Sequence, residues 1–270
     1  MSAAAHWRAL LEGWALPPAL LAAVPGSPYE WPAGLWRRGQ GVESGADTPT
    51  VRAVAGLLPP GGSVLDVGAG TGRASLALAT RGYPVTAVEP NREMAAALCA
   101  EAEVAGVEVR LIEGAWPKVA PQAGRHDVAL AAHVVYDVAD LAPFLRALHE
   151  AARAGVVLEA GEHHPWAGLA RYYRALHGLD RPDGPTAALL VEVVEEVLGV
   201  GPQVERWANR SRLHFADLQE LVDLYRRRLL VPIERTAELT DLLAPDIVEK
   251  DGWLSLGHDA GVVTVWWPVR

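Results

Sequence analysis

The chain carries two hydrophobic rhythms. Short apolar runs fall at Ser63–Val67, Val85–Glu89, Val107–Ile112, Asp127–Ala132 and Gly155–Glu159. Runs that brief and nearly unbroken predict strands covered on both faces. Between most of them the apolar positions open out to the three- and four-residue spacing of a helix, at Arg73–Thr80, Asn91–Val104 and Asp140–Arg153. Gly82 and Gly106 stand where helix C-terminal glycines belong. This alternation predicts an α/β fold: a doubly wound, mostly parallel sheet with helices on both faces.

On either side the rhythm changes. Residues 1–45 read as an N-terminal cap, with a helix over 3–13 and then Pro- and Gly-rich loops ending in Gly39-Gln40-Gly41. A helix is predicted from Thr48 to Leu58, with Asp47 or Thr48 as its cap, Pro49 in its first turn and Pro59-Pro60-Gly61-Gly62 as its stop. After the fifth strand a helical insertion at about 162–200 reads as two helices around a turn at Leu179–Pro185. A strand at Gln203–Asn209, an amphipathic helix at Phe215–Leu230 and a strand at Val262–Trp267 follow. The main domain is thus expected over 46–270.

Composition narrows the class. Half of the 270 residues are apolar, as in a folded chain, and the formal charge is −9. An acidic balance argues against a sequence-independent grip on nucleic-acid backbones, so no nucleic acid is expected as a partner. One cysteine, Cys99, excludes an internal disulfide and a cysteine zinc cluster and fits a reducing cytoplasm. Set among alanines on a helix, it reads as a small core residue. The start lacks a signal peptide's basic and apolar regions, and the apolar stretch Trp14–Val24 is too short to span a bilayer. A cytoplasmic protein without membrane attachment is the expectation. Four of ten tryptophans, Trp7, Trp14, Trp31 and Trp36, precede residue 40 and read first as packing residues.

The densest chemistry lies in Val64-Leu65-Asp66-Val67-Gly68-Ala69-Gly70-Thr71-Gly72-Arg73. A strand ends in an acid, glycines alternate with small residues, and a helix follows. That is how bare backbone is brought up to a polar cofactor. Glu89 closes the next strand, where a hydroxyl-binding carboxylate belongs. The spacing is G-x-G-x-G, not the G-x-G-x-x-G of nicotinamide enzymes.

This constellation resembles the class I S-adenosylmethionine-dependent methyltransferases, most clearly over residues 50–160, and the wider chain is similar to small bacterial methyltransferases of undetermined substrate. The resemblance implies a Rossmann-like, seven-stranded sheet and S-adenosyl-L-methionine as cofactor. It implies that Gly68, Ala69, Gly70 and Gly72 form the loop under the cofactor's amino acid portion and that Asp66 helps hold that end. Glu89 would accept the ribose hydroxyls, Pro90 and Asn91 would lie near adenine, and Met94 would pack on its face. Family members often place an acid where this chain has Ala115. Either Glu113 substitutes, or backbone groups do, or adenine is recognised more weakly, with Trp116 covering the ring.

Methyl transfer from a sulfonium needs alignment and a dry site, and a base only where the acceptor must lose a proton. The candidates lie in two loops. The first is His133-Val134-Val135-Tyr136-Asp137, where His133 stands near the cofactor's methionine portion or the acceptor and Tyr136 would orient the acceptor. The second is Glu162-His163-His164-Pro165-Trp166, from which His163 or His164 would face the pocket. Adjacent histidines on an extended chain point to opposite sides, so no metal is expected. His149-Glu150 begins a zinc-protease pattern, but Arg153 stands where its second histidine belongs. Arg226-Arg227-Arg228 reads as a solvated helix face. The expected function is methyl transfer to a small molecule. The alternatives are an RNA or protein acceptor, or a non-catalytic relative that binds the cofactor.

Overall fold

The computed structural model describes residues 1–29, 47–209, 213–257 and 260–269. Trp31, Trp36, Gly39-Gln40-Gly41 and the expected boundary near residue 45 lie outside the described residues. The elements are α1 (Ala3–Glu12), α2 (Pro18–Ala23), α3 (Pro49–Leu57), β1 (Val64–Val67), α4 (Arg73–Ala79), β2 (Val85–Glu89), α5 (Arg92–Ala105), β3 (Val109–Glu113), α6 (Ala120–Ala123), β4 (His126–Ala132), α7 (Leu141–Ala151) and β5 (Ala152–Gly161). They continue as α8 (Ala170–His177), α9 (Ala187–Leu198), β6 (Gln203–Asn209), α10 (Leu218–Arg228), α11 (Thr236–Leu243), β7 (Ile247–Lys250), β8 (Trp253–Leu256) and β9 (Ala260–Pro268).

Seven strands form one sheet in the order β3-β2-β1-β4-β5-β9-β6. The first five are parallel, and β9 runs antiparallel to both of its neighbours, β5 and β6. Order reverses at β1, so the crevice beyond the carboxyl ends of β1 and β4 is where a ligand belongs in such a sheet.

Strand alternation sorts the core into two layers. Leu65, Ala129, Leu158 and Val265 face one way, against α7, α9 and Trp7 of α1. Val64, Val128, Leu130 and Val157 face the other, against Val51 and Val54 of α3 and Leu78 of α4. Asp66, Glu159 and Thr264 fall on this second face by the same alternation. The α3–α4 layer therefore has polar groups buried at its upper edge.

A third core stands apart from the sheet. Trp14 and Leu16 from the N-terminal segment meet Trp166 and Tyr173 from beyond β5, and Phe215 and Leu239 from between β6 and β9. Both insertions leave the edge of the sheet where β1, β2 and β4 end, because Gly161 and Asn209 lie opposite Val262 and Ala260 at the start of β9. The 162–200 region divides between two layers: α8 joins this cap, while α9 packs on the sheet beside α1 and α7.

Two sequence expectations differ here. Cys99 is exposed, although Ala95, Leu98 and Ala102 of α5 are buried. Arg228 is buried at 3 % exposure, with its guanidinium 6.0 Å from the Trp166 ring centroid and its carbonyl accepting the Tyr173 hydroxyl. The end of α10 thus turns into the cap core, where a run of three arginines reads as solvated.

Candidate active site

The glycine loop is fixed from below. Gly68 and Ala69 N–H groups donate to Val88 O at 2.8 and 3.1 Å, and Gly72 N–H donates to Ala69 O at 2.9 Å. Gly68, Gly70 and Gly72 all have positive φ, at 71°, 58° and 92°. These values favour glycine, since a Cβ crowds the backbone there. At Gly68 a Cβ would also lie 2.3 Å from Val134 Cγ2, whereas at Gly70 it would meet nothing within 4 Å. The open side of the loop is therefore at Gly70.

Glu89 faces that opening. Its Oε2 accepts the Gly70 N–H at 2.8 Å and its Oε1 accepts the Asn91 N–H at 2.8 Å. Burial raises its pKa despite these two bonds. Asn91 caps α5, its side-chain oxygen accepting from Glu93 and Met94 N–H groups at 2.9 and 3.2 Å. Pro90 is exposed and Met94 half-buried beside it. Asp66 lies deeper, at 1 % exposure, and accepts the Ser75 hydroxyl at 2.6 Å. Burial pushes its pKa up to about 6, against the pull of Ser75 and Arg73 and with the charges of Glu89 and Glu159 adding to it.

Glu159, near the end of β5, has no exposure. The Arg73 guanidinium and the His133 Nε2, at 2.9 Å, both bond its Oε1. Burial pushes the pKa up, but Arg73, His133 and the Thr50 hydroxyl together hold it at about 2. Thr50 continues the network through Thr264 Oγ1 at 2.8 Å to Trp207 Nε1 at 3.0 Å.

His133 has φ +58°, the left-handed region. For a residue with a Cβ this costs about 1–2 kcal/mol. An extended continuation of β4 would place His133 on the face of Ala131, opposite the face that carries Glu159. The left-handed turn instead brings the imidazole to Glu159, while the His133 N–H still donates to Glu159 O at 2.8 Å.

The other candidates separate. Tyr136 is buried and bonded on both sides to the Gly161 backbone: its hydroxyl donates to Gly161 O at 3.1 Å and accepts the Gly161 N–H. It fastens the end of β5. His163 is exposed, and His164 is the histidine that turns inward. His164 stacks on Trp14 at 4.4 Å and meets the edges of Tyr136 and Trp166. Burial, reinforced by Arg181, lowers its pKa to about 4, so the ring is neutral at pH 7. At the far end of the crevice Ala115 is exposed, and Glu113 lies 3.6 Å from Arg92. Trp116 donates its indole N–H to Phe144 O at 3.3 Å, which ties its ring to α7.

Residues 64–155 match a family model described as a methyltransferase domain. The matched stretch runs from β1 into β5 and is similar to methyltransferase domains. Among curated proteins it is similar to a ubiquinone biosynthesis O-methyltransferase of Azorhizobium caulinodans, 35 % identical over 102 residues. That match spans 38 % of each chain, so it concerns the core of the domain alone. Among solved structures, a methyltransferase from Bacillus halodurans superposes with TM-score 0.54 at 15 % identity, covering 82 % of this chain and 97 % of that one. A plantazolicin methyltransferase, solved with a triazolic desmethylPZN analogue and S-adenosylhomocysteine, covers 98 % of both chains with TM-score 0.53 at 11 % identity. Likeness at such identities is likeness of fold.

The residues of this crevice fit S-adenosylmethionine. S-adenosylmethionine carries a sulfonium and an ammonium against one carboxylate. Asp66, Glu89 and Glu159 place three carboxylates around the loop, with Arg73 as the guanidinium among them. The backbone is open at Gly70 beside a carboxylate of high acceptor capacity. The adenine end is less specified, because the Ala115 side chain offers no acceptor.

Sequence reasoning omitted Glu159, Arg73 and Thr50 as site residues and left His163 and His164 unresolved. Glu159 had a signal: it is the one charged residue in the run Ala154–Gly161 of a strand covered on both faces.

Proposed function

We propose that the protein binds S-adenosylmethionine in the crevice above β1, β2 and β4 and transfers its methyl group to a small-molecule acceptor. When bound, the cofactor supplies a methyl carbon activated by its positive sulfur. The observation that carries the reading is the opening at Gly70, flanked by the buried Glu89 carboxylate and lying over the glycine loop held by Val88. Glu89 holds the ribose hydroxyls, the loop backbone holds the amino acid portion, and Asp66 stabilises the positive end through its charge.

The small-molecule part rests on what surrounds the site. Two insertions and the N-terminal segment build an aromatic core at the sheet edge where the crevice opens, a cap that suits an enclosed acceptor. In this reading Trp14, Leu16 and Val24 of the N-terminal segment are part of that cap. The acidic balance of −9 disfavours a nucleic-acid acceptor, and the single cysteine fits work in a reducing cytoplasm.

Calorimetry tests it. S-adenosylhomocysteine binds the full chain, and Glu89→Ala weakens binding by at least tenfold in protein that urea unfolding shows to be folded. No heat from either S-adenosylmethionine or its product, or an unchanged affinity in Glu89→Ala, overturns the reading.

A further inference from the structure

We propose that His133 is the proton acceptor for the methyl-accepting group and that Glu159 and Arg73 are its positioning residues. This rests on the methyltransferase reading and goes one step into its chemistry. A histidine takes a left-handed backbone at the end of β4, and the result is one contact, Nε2 to Glu159 Oε1 at 2.9 Å. Strain of this kind persists where the surroundings hold it and marks sites that use the geometry.

The contact fixes the imidazole. A carboxylate accepts only, so the nitrogen facing Glu159 carries the hydrogen and the lone pair lies on Nδ1. No described residue hydrogen-bonds Nδ1, and the side chain is 29 % exposed. Arg73 bonds the same carboxylate oxygen, so Glu159 stays ionised and is anchored from α4 while His133 hangs from β4. Thr50 and Thr264 brace it from behind. The arrangement is a base oriented by a third group, the pattern that fits an imidazole for proton transfer. Tyr136 and His164 do not compete: one is tied to the Gly161 backbone and the other is stacked in the cap core.

The acceptor's O–H bond breaks, its electron pair stays on the oxygen, and the proton moves to Nδ1 of His133. Glu159 then faces an imidazolium. This serves an acceptor that gains its nucleophilicity by losing a proton, such as a phenol or enol hydroxyl.

The test uses the full chain, labelled with ¹⁵N at histidine, and diethyl pyrocarbonate as a reagent for an unprotonated imidazole nitrogen. The His133 signals, assigned by their loss in His133→Gln, are expected to report the Nε2–H tautomer almost exclusively. In Glu159→Gln that preference collapses to a mixture, since an amide both donates and accepts. Diethyl pyrocarbonate modifies His133 in the wild type, and the rate falls at least threefold in Glu159→Gln relative to exposed His6. If Glu159→Gln does not fold, the wild-type tautomer and reactivity decide, and Arg73→Lys, which keeps the charge, serves as the second variant with a smaller change expected in the same direction. A wild-type Nδ1–H tautomer, an unreactive His133, or a folded Glu159→Gln with unchanged tautomer and rate overturns the proposal. S-adenosylhomocysteine calorimetry on the same samples keeps the two readings separate: binding tests the cofactor site, and the tautomer tests the base.

Discussion

Gly68 and Gly70 make the same demand on the backbone and differ in what stands over them, which gives a paired prediction. Alanine at either position takes a positive φ, 71° or 58°, at about 1–2 kcal/mol. At Gly70 nothing lies within 4 Å of the new methyl, so strain is the whole cost. At Gly68 the methyl meets Val134 Cγ2 at 2.3 Å, Cγ1 at 3.0 Å and Cβ at 3.3 Å. A β-branched side chain has few allowed rotamers and the Val134 Cβ itself stands at 3.3 Å, so relief also requires a shift of the segment that follows His133. Overpacking of this kind adds about 1–3 kcal/mol. Gly68→Ala is therefore expected to lose about 2–5 kcal/mol and Gly70→Ala about 1–2 kcal/mol. Ligand binding should rank them the other way. Gly70→Ala stays folded but puts a methyl into the opening beside Glu89, and its affinity for S-adenosylhomocysteine falls at least tenfold. Urea unfolding gives the first quantity and calorimetry the second. Val134→Ala, which removes both Cγ atoms, should recover part of the Gly68→Ala loss, with a coupling of about 1–3 kcal/mol between the two positions. Equal urea midpoints for the two alanine variants, or wild-type affinity in Gly70→Ala, would refute the assignment of Gly68 to packing and Gly70 to the ligand.

Two further outcomes follow from the same site. Asp66 has a pKa raised by burial from 3.8 to about 6, so the folded state holds its proton more tightly than the unfolded chain. The contribution of this group is fully favourable below pH 4 and is lost as pH rises through 6. Asp66→Asn, which still accepts from Ser75, should match the wild type near pH 4 and exceed it by about 2–3 kcal/mol at pH 8 in the absence of ligand. Urea midpoints across that range check it, and a constant difference sinks it. Tyr136→Phe removes the hydroxyl that joins both sides of the Gly161 backbone. It should lower stability by about 1–3 kcal/mol, read as thermal unfolding, and leave S-adenosylhomocysteine affinity within threefold. Lost affinity at unchanged stability would return Tyr136 to the ligand.

The inner strands β1, β2 and β4 were legible because each is mostly apolar, buried on both faces and too short to be a helix. The glycine loop was legible because positive φ and a clash-free approach restrict the residue type. The cap was not. Its core joins Trp14, Trp166 and Phe215 from three separated segments, and nothing in the local periodicity of any one shows the other two. The helix α11 and the hairpin of β7 and β8 escaped for the same reason: Leu239, Leu243 and Leu256 find their partners only in that assembled core. His133 was singled out for its chemistry, but its pairing with Glu159 depends on a left-handed turn that no pattern of residue types announces. Arg228 failed in the opposite direction, since charge runs are usually solvated and this one ends inside the cap.

The buried acids explain one another once the sheet's two faces are separated. Asp66, Glu159 and Thr264 share the α3–α4 face, while apolar residues fill the other. Two of the three carboxylates at the loop, Asp66 and Glu89, are held in the less favourable state for a charge, with pKa values raised by burial. A packed apolar layer of similar volume would be more stable, so stability alone does not account for them. Glu159 is different: Arg73 and His133 keep it ionised, and its charge in turn raises the proton affinity of Asp66. A ligand bringing positive charge to the opening at Gly70 would relieve Asp66 and Glu89 together, whereas an anionic ligand would add to their cost. The fold thus favours a cation at the place where the backbone is open. The one carboxylate already satisfied by cations is the one that also holds His133, which divides the acids into two that favour the donor's charge and one that orients a base.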